Sequence, residues 1–221
     1  MTRASNIHVL AAALVAVLLS GCAPEAMNRV GHYTAPRQDI VSVQRVAFLP
    51  LANETDHPGT ETGLTEELFQ TVQACRLFHL LPVPPNVASA AELPNVGTAP
   101  MTLADLARLR GALGADGVLT GALTRWQPYP RMQMGLYLRL VDLRTGRVLW
   151  AVDHVWDATD EHTQRRLRQF FCRQAGEGTE PFGWELGTVS LRAFQKFVAH
   201  EVTQTLPCRP PAKTEVAGGE L

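Results

Sequence analysis

From Met132 to Leu140 apolar residues stand at every second position: Met132, Met134, Leu136, Leu138 and Leu140 alternate with Gln133, Gly135, Tyr137 and Arg139. A period of two places the two sets on opposite faces, which a half-buried β-strand satisfies and a helix does not. The turn signal Arg144-Thr145-Gly146 follows, and Val148, Trp150, Val152 and Trp156 alternate again. The spacing predicts an antiparallel hairpin with Gly146 at a turn position of positive φ. One apolar hairpin face must be covered by another layer, so the helices around it matter.

Upstream, the apolar run Val46 to Leu51 ends at Pro50 and the polar stretch 53–59, which reads as a buried strand entering a loop. Leu64, Leu68, Val72 and Cys75 recur at helical spacing, with Glu61, Glu66 and Glu67 towards the helix start, where the dipole favours acids. Phe78 to Leu81 is a second short strand, and residues 82–100, with five prolines, form a loop. Thr102 and Asp105 have capping-box spacing ahead of Leu103, Leu106, Leu109 and Leu113. Gly114 fits the left-handed end of that helix, and Val118 to Leu123 is a third strand. After the hairpin come an arginine-rich helix over Thr163 to Cys172, a Gly-rich loop at 174–183, and a last helix with the stripe Leu191, Phe194, Val198 and Val202. The order β-α-β-α-β-β-β-α-α predicts an α/β fold, a mixed sheet with flanking helices. The expected domain spans 44–207, and the tail 208–221 is expected to be flexible.

The N-terminus has the layout of a secretory signal: Arg3, an apolar run from Val9 to Leu19, then small Ser20 and Gly21. That run is shorter than the ~20 residues a spanning helix needs. Cys22 directly after the small residues makes it resemble a bacterial lipoprotein signal, which implies removal of 1–21 and lipidation of Cys22. Ala23, where an Asp would imply inner-membrane retention, leads us to expect the outer membrane, with the domain facing the periplasm. Residues 22–43, with Pro24 and Pro36 and no sustained period, are expected to be a tether. Without residues 1–21 the chain carries 19 basic and 21 acidic side chains, a net of −2. This gives no electrostatic footprint for nucleic acid.

Besides Cys22 there are Cys75, Cys172 and Cys208. The periplasm permits disulfides, and an odd number leaves one thiol over. Cys75 continues an apolar helical stripe and reads as a small core residue. Cys172 and Cys208, in polar surroundings flanking the last helix, are the expected pair.

Three blocks carry a family resemblance. Val46-Ala47-Phe48-Leu49-Pro50-Leu51-Ala52-Asn53-Glu54-Thr55 resembles the opening strand of TolB N-terminal-like domains, which recurs in CsgG-like and LpoB-like lipoproteins. Residues 113–121 are similar to their Gly-Ala-Asp strand start, and residues 138–150 to their hairpin. The blocks follow family order over 44–156. Leu51 stands where the family usually has Phe, and the linker before the second helix is unusually proline-rich. The resemblance implies an α/β sandwich like the anticodon-binding domain. It also implies a non-enzymatic envelope component that binds a periplasmic or outer-membrane protein and has the option of a homo-oligomeric ring. A CsgG-like secretion-channel subunit and an LpoB-like activator of peptidoglycan synthases are the alternatives.

No nucleophile elbow, phosphate loop or HExxH motif occurs, and no cofactor or metal is expected. His154 is in phase with Val152 and Trp156. It reads as a catalytic or pH-sensing group, or as a hydrogen-bonded half-buried side chain. Asp153, Asp157, Asp160 and Glu161 near His154 and His162 read as a metal cluster or as an acidic helix start. Arg165, Arg166, Arg168 and Arg173 form the densest basic group. They are a solvated helix face, or a contact for an acidic partner or lipid headgroups. Phe170, Phe171, Phe182 and Trp184 lie alongside, forming a binding patch if exposed and a seat for the last helix if buried. Arg165, Arg166, Arg168, Phe170 and Phe171 are the expected partner-binding residues.

Overall fold

The structure is a computed structural model that describes residues 30–84, 86, 97–174 and 185–208. In chain order its elements are β1 (His32–Thr34), α1 (Arg37–Val41), β2 (Arg45–Phe48), β3 (Ala52–Asn53), α2 (Thr60–Ala74), β4 (His79–Pro82) and α3 (Leu103–Leu113). There follow β5 (Gly117–Gln127), β6 (Gln133–Asp142), β7 (Val148–Asp157), α4 (Glu161–Gln174), α5 (Leu186–Val189) and α6 (Leu191–Thr203). The expected mixed sheet with flanking helices is present, and every expected element falls within a few residues of its place.

The sheet order is β1-β7-β6-β5-β2-β4, with β3 also beside β5. The predicted hairpin is β6 and β7, with Met134 opposite Trp156, Leu138 opposite Val152 and Leu140 opposite Trp150. Gly146 takes φ 72° in its turn, and Gly114 takes φ 55° after α3; both conformations are costly for residues with a Cβ. β5 is antiparallel to β6 and parallel to β2 and β3. Residues 117–123 are all buried, as a central strand covered on both faces requires. Pro50 has no N–H, and it falls in the gap between β2 and β3. The ladder continues across that gap, because the Leu49 N–H donates to the Leu119 carbonyl at 3.0 Å and the Glu54 N–H to the Leu123 carbonyl at 3.0 Å.

Two apolar clusters sandwich the sheet. The larger joins Phe48, Met134, Leu136, Leu138, Trp150 and Trp156 to side chains of α2, α4 and α6. The smaller lies on the second face, where Leu106 and Leu109 of α3 meet Ala47, Val118 and Val141. The Thr102–Asp105 capping box is formed in both directions, at 3.2 Å and 2.9 Å.

Two expectations need correction. The tether does not extend to residue 43. Val30, Ala35, Ile40 and Val43 are buried in the main core, and β1 pairs antiparallel with β7. A three-residue strand and a five-residue helix are too short to show a period, which is why this stretch reads as linker. The disulfide joins Cys75 to Cys208, with Cα atoms 5.1 Å apart, and leaves Cys172 as an exposed thiol. α2 lies along α6, so the segment after α6 returns to the end of α2, while Cys172 is on the outer surface of α4. Cys208 therefore belongs to the domain rather than to the tail. The signal segment and Cys22 within 1–29, the expected Gly-rich loop over 175–183, and residues 209–221 lie outside the described residues.

The bridge closes a loop of 133 residues. Peptide mapping without reduction is expected to recover Cys75 linked to Cys208 and to alkylate Cys172. Cys208→Ser is expected to cost about 2–4 kcal/mol in denaturant unfolding, within the usual range for a native bridge. A Cys172-containing linked peptide would refute the pairing.

Candidate functional site: the cleft between the arginine-rich helix and the last helix

The turn from β7 into α4 uses the acidic cluster structurally. Asp157 Oδ1 accepts from the Thr159 N–H and hydroxyl at 2.8 and 2.7 Å. Asp160 Oδ2 accepts from the Thr163 N–H at 2.8 Å, closing the first turn of α4. Burial works against the charge on Asp157, but the bonds from Thr159 and Gln133 outweigh it and hold the carboxyl below its usual range. The Thr163 backbone bond does the same for Asp160, against some desolvation. Among the described residues no group of His, Cys, Asp or Glu is placed to hold a metal ion.

α4 puts Thr163, Leu167 and Phe170 on its buried side. Their spacing of four and three residues is a core stripe that the sequence contains, although the neighbouring arginines draw attention away from it. The Phe170 ring meets Phe171 at 5.1 Å and Phe197 at 5.8 Å. The expected aromatic docking patch is therefore corrected: Phe170 and Phe171 seat the last helix. Phe182 and Trp184 lie outside the described residues.

The arginines divide in the same way. Arg166 turns inward, and its Nε donates to Glu201 Oε2 on α6 at 2.6 Å, with side chains only 16% and 13% exposed. It is part of the interior, which corrects its expected place in a surface. Arg165, Arg168 and Arg173 are exposed. Burial pushes the Glu201 carboxyl up, and the Arg166 charge and hydrogen bond oppose that shift. The Trp156 indole N–H faces the same carboxylate but has no bond of ordinary geometry.

Two histidines flank this pair. His154 stands edge-on to Trp156, with ring centres 4.7 Å apart, and its Nδ1 lies 3.5 Å from the Gly31 N–H that donates to it. Burial, then the Arg166 charge, lowers its pKa against the weaker pull of Asp153 and Asp160. His154 is thus a half-buried, hydrogen-bonded side chain. His200 lies 4.9 Å from the Phe170 ring, and burial followed by the Arg173 charge lowers its pKa. Together Arg165, Arg166, Gln169, Arg173, His200 and Glu201 line a cleft of about 200 Å³ between α4 and α6. The arrangement is basic at its rim and neutralised at its floor, with Glu201 bonded to Arg166. Sequence reasoning missed Glu201 and His200 because they belong to α6, 35 residues from Arg166 in the case of Glu201.

A second surface lies on the α3 side of the sheet, beyond the reach of α3. Cross-strand register puts Tyr33 beside Ala151 and Arg139, and Val155 beside Gly135. Tyr33 is 52% exposed and Val155 43%, while Tyr137 and Ala151 are half-buried. The Arg139 guanidinium covers part of this face, lying 5.7 Å from the Tyr137 ring centre and donating to the Ala99 carbonyl.

No family model matches the chain, and no curated protein matches it. Among solved structures it is similar to the PelC dodecamer from Paraburkholderia phytofirmans, at 18% identity over 62% of this chain and 86% of that one, with a TM-score of 0.43. It is also similar to lipoprotein GNA1162 from Neisseria meningitidis, at 17% identity over 59% and 96%, with a TM-score of 0.44. The LpoB C-terminal domain from Salmonella enterica matches at 19% identity over 54% and 93%, with a TM-score of 0.35.

Glu201→Ala leaves the Arg166 charge without this acceptor. Loss of one partner of a fully buried pair costs about 3–5 kcal/mol; the partial exposure here lowers the expectation to roughly 2–3 kcal/mol. At this chain length that corresponds to a fall in Tm of roughly 5–10 °C. An unchanged Tm would show that the pair contributes nothing.

His154 sets a pH dependence. Its folded pKa lies below the ordinary value of 6.5, so the unfolded chain takes up the proton first. Its contribution is fully present above that ordinary value and is lost progressively as pH falls from there through the lower folded value. Thermal melts between pH 7.5 and 5 are expected to show a declining Tm, with a shallower decline in His154→Gln. Identical slopes would assign the effect elsewhere.

Proposed function

We propose that the protein is a non-enzymatic lipoprotein of the outer membrane, anchored through Cys22. It faces the periplasm and serves as a protein-binding or assembly component of an envelope complex. The observation that carries this reading is the order Leu19-Ser20-Gly21-Cys22 behind an apolar run, placed just ahead of a folded domain. The ionisable clusters support it. Asp157 and Asp160 close a turn, and Arg166 and Glu201 neutralise each other. His154 accepts a backbone hydrogen bond. In this reading the partner binds the second sheet face, where Tyr33 and Val155 project. The exposed Tyr33 and the half-buried Tyr137 on this face are of the residue type enriched at protein-binding surfaces. The resemblance of residues 44–156 to LpoB-like lipoproteins refines the reading to a docking activator of a peptidoglycan synthase. β6 is paired along both edges, and β7 along its whole inner edge with β6 and at Trp150–Val152 with β1, so their alternation is already used within the sheet.

Two measurements test this. Cys22→Ala is expected to move the chain from the membrane fraction to the soluble fraction, and retention like wild type would sink the anchor. A photocrosslinking residue at Tyr33 or Val155, introduced in the native envelope, is expected to capture a defined protein. The same residue at Leu103, exposed on α3, is expected to capture none. Equal labelling from all three positions would move the interface off this face.

A further inference from the structure

The corrected N-terminal boundary changes how the domain stands on its membrane. Val30 is buried in the core, and seven residues, eight chain steps, separate it from Cys22. A chain spans at most about 3.6 Å per residue, which limits this connection to about 29 Å. A domain of about 180 residues has a radius of gyration near 16 Å and is about 40 Å across. The anchor is thus shorter than the domain, and the corner where the chain joins the sheet is held towards the headgroups.

That corner is defined by hydrogen bonds. The Asp153 N–H donates to the Gly31 carbonyl at 3.1 Å, and the Gly31 N–H donates to His154. β7 continues from there only to Asp157, and α4 departs at Glu161. The outward side of α4 carries Arg165, Arg168 and Arg173, all exposed, and Glu161 in the first turn is the only acid in the helix. With its aromatics turned into the core, this side has charge and hydrogen-bond donors but little apolar area. That is poor material for a protein hot spot and good material for phosphodiester oxygens, which guanidinium groups grip in pairs. The net charge of −2 without the signal means that the rest of the surface does not favour an anionic membrane.

We propose that the exposed arginine face of α4 seats on anionic phospholipid headgroups of the membrane that holds Cys22, fixing the orientation of the domain. The proposal rests on the anchor reading above. It leaves the second sheet face, across the sheet from α4, available to a protein.

The chain carries its own reporter. Cys172 lies among the arginines and is exposed, while Cys75 and Cys208 are bridged and Cys22 is acylated in the anchored form. The lipidated full chain, labelled at Cys172 with a fluorophore, is incorporated into vesicles bearing a headgroup-level quencher. One set is phosphatidylcholine and the other contains phosphatidylglycerol. Strong quenching is expected only in the anionic set, with loss at high salt, where screening shortens to a few ångströms. Each basic residue near an anionic surface is worth about a fivefold change in occupancy. Arg165→Ser with Arg173→Ser is therefore expected to reduce the seated population by about twenty-five-fold, and the two Arg→Lys changes to restore most of it. A label at Ala107→Cys on α3, in a Cys172→Ser background, is expected to stay unquenched. Equal quenching in both lipids, in the Ser variant, or at position 107 would overturn the proposal, as would no quenching at Cys172. Failure of the wild-type chain to float with neutral vesicles is a separate result, and it refutes the anchor.

Discussion

Strand β5 is the constraint on which the rest of the fold depends. It is the meeting point of two kinds of pairing, parallel to β2 and β3 on one edge and antiparallel to β6 on the other. A parallel neighbour requires a crossover, which α2, β4 and α3 supply. An antiparallel neighbour requires only a short connection, which residues 128–132 supply. The change of mode at β5 divides the chain into a crossover-connected half and a hairpin half. The hairpin half exposes an edge, β7, which the N-terminal β1 then covers. The short strand that reads as linker is therefore a structural cap on a long edge that would otherwise be open to other chains.

This explains what the sequence made legible and what it did not. The hairpin, the four longer helices and the capping box are local, because each is written in residues two to four positions apart. Gly114 and Gly146 were legible for the same reason, since each answers a backbone need at one position. β1 and α1 were not, because the apolar residues in and around them, Val30, Ala35, Ile40 and Val43, gain meaning only against β7 and the core. The disulfide is nonlocal in the same way. Cys172 and Cys208 share a polar neighbourhood in sequence, but the proximity that counts is between the ends of α2 and the segment after α6.

The site shows a further limit of local reading. Arginines 165, 166, 168 and 173 look like one cluster along the chain. A helix turns 100° per residue, so neighbours separate by face. Arg166 is carried round to Glu201, while the others remain outside. The stripe Thr163, Leu167, Phe170 identifies the inner side and so predicts which arginine is turned away from solvent. That deduction needs only the period of the apolar residues, applied before the charges are counted. Nothing in the sequence, however, marks Glu201 as the partner.

The inward pair and the outward arginines serve different ends, and the difference follows from dielectric. Arg166 and Glu201 lie where a lone charge is costly, so each makes the other tolerable, and their net contribution is a fixed position more than a large stability. Phe170, packed against Phe197 and His200, holds the same helix from its apolar side. Together they lock the rotation of α4 about its axis. A locked helix keeps Arg165, Arg168 and Arg173 on one outward arc, whereas a helix free to roll would spread their charge over several directions. The interior bond thus gives the exposed face a direction.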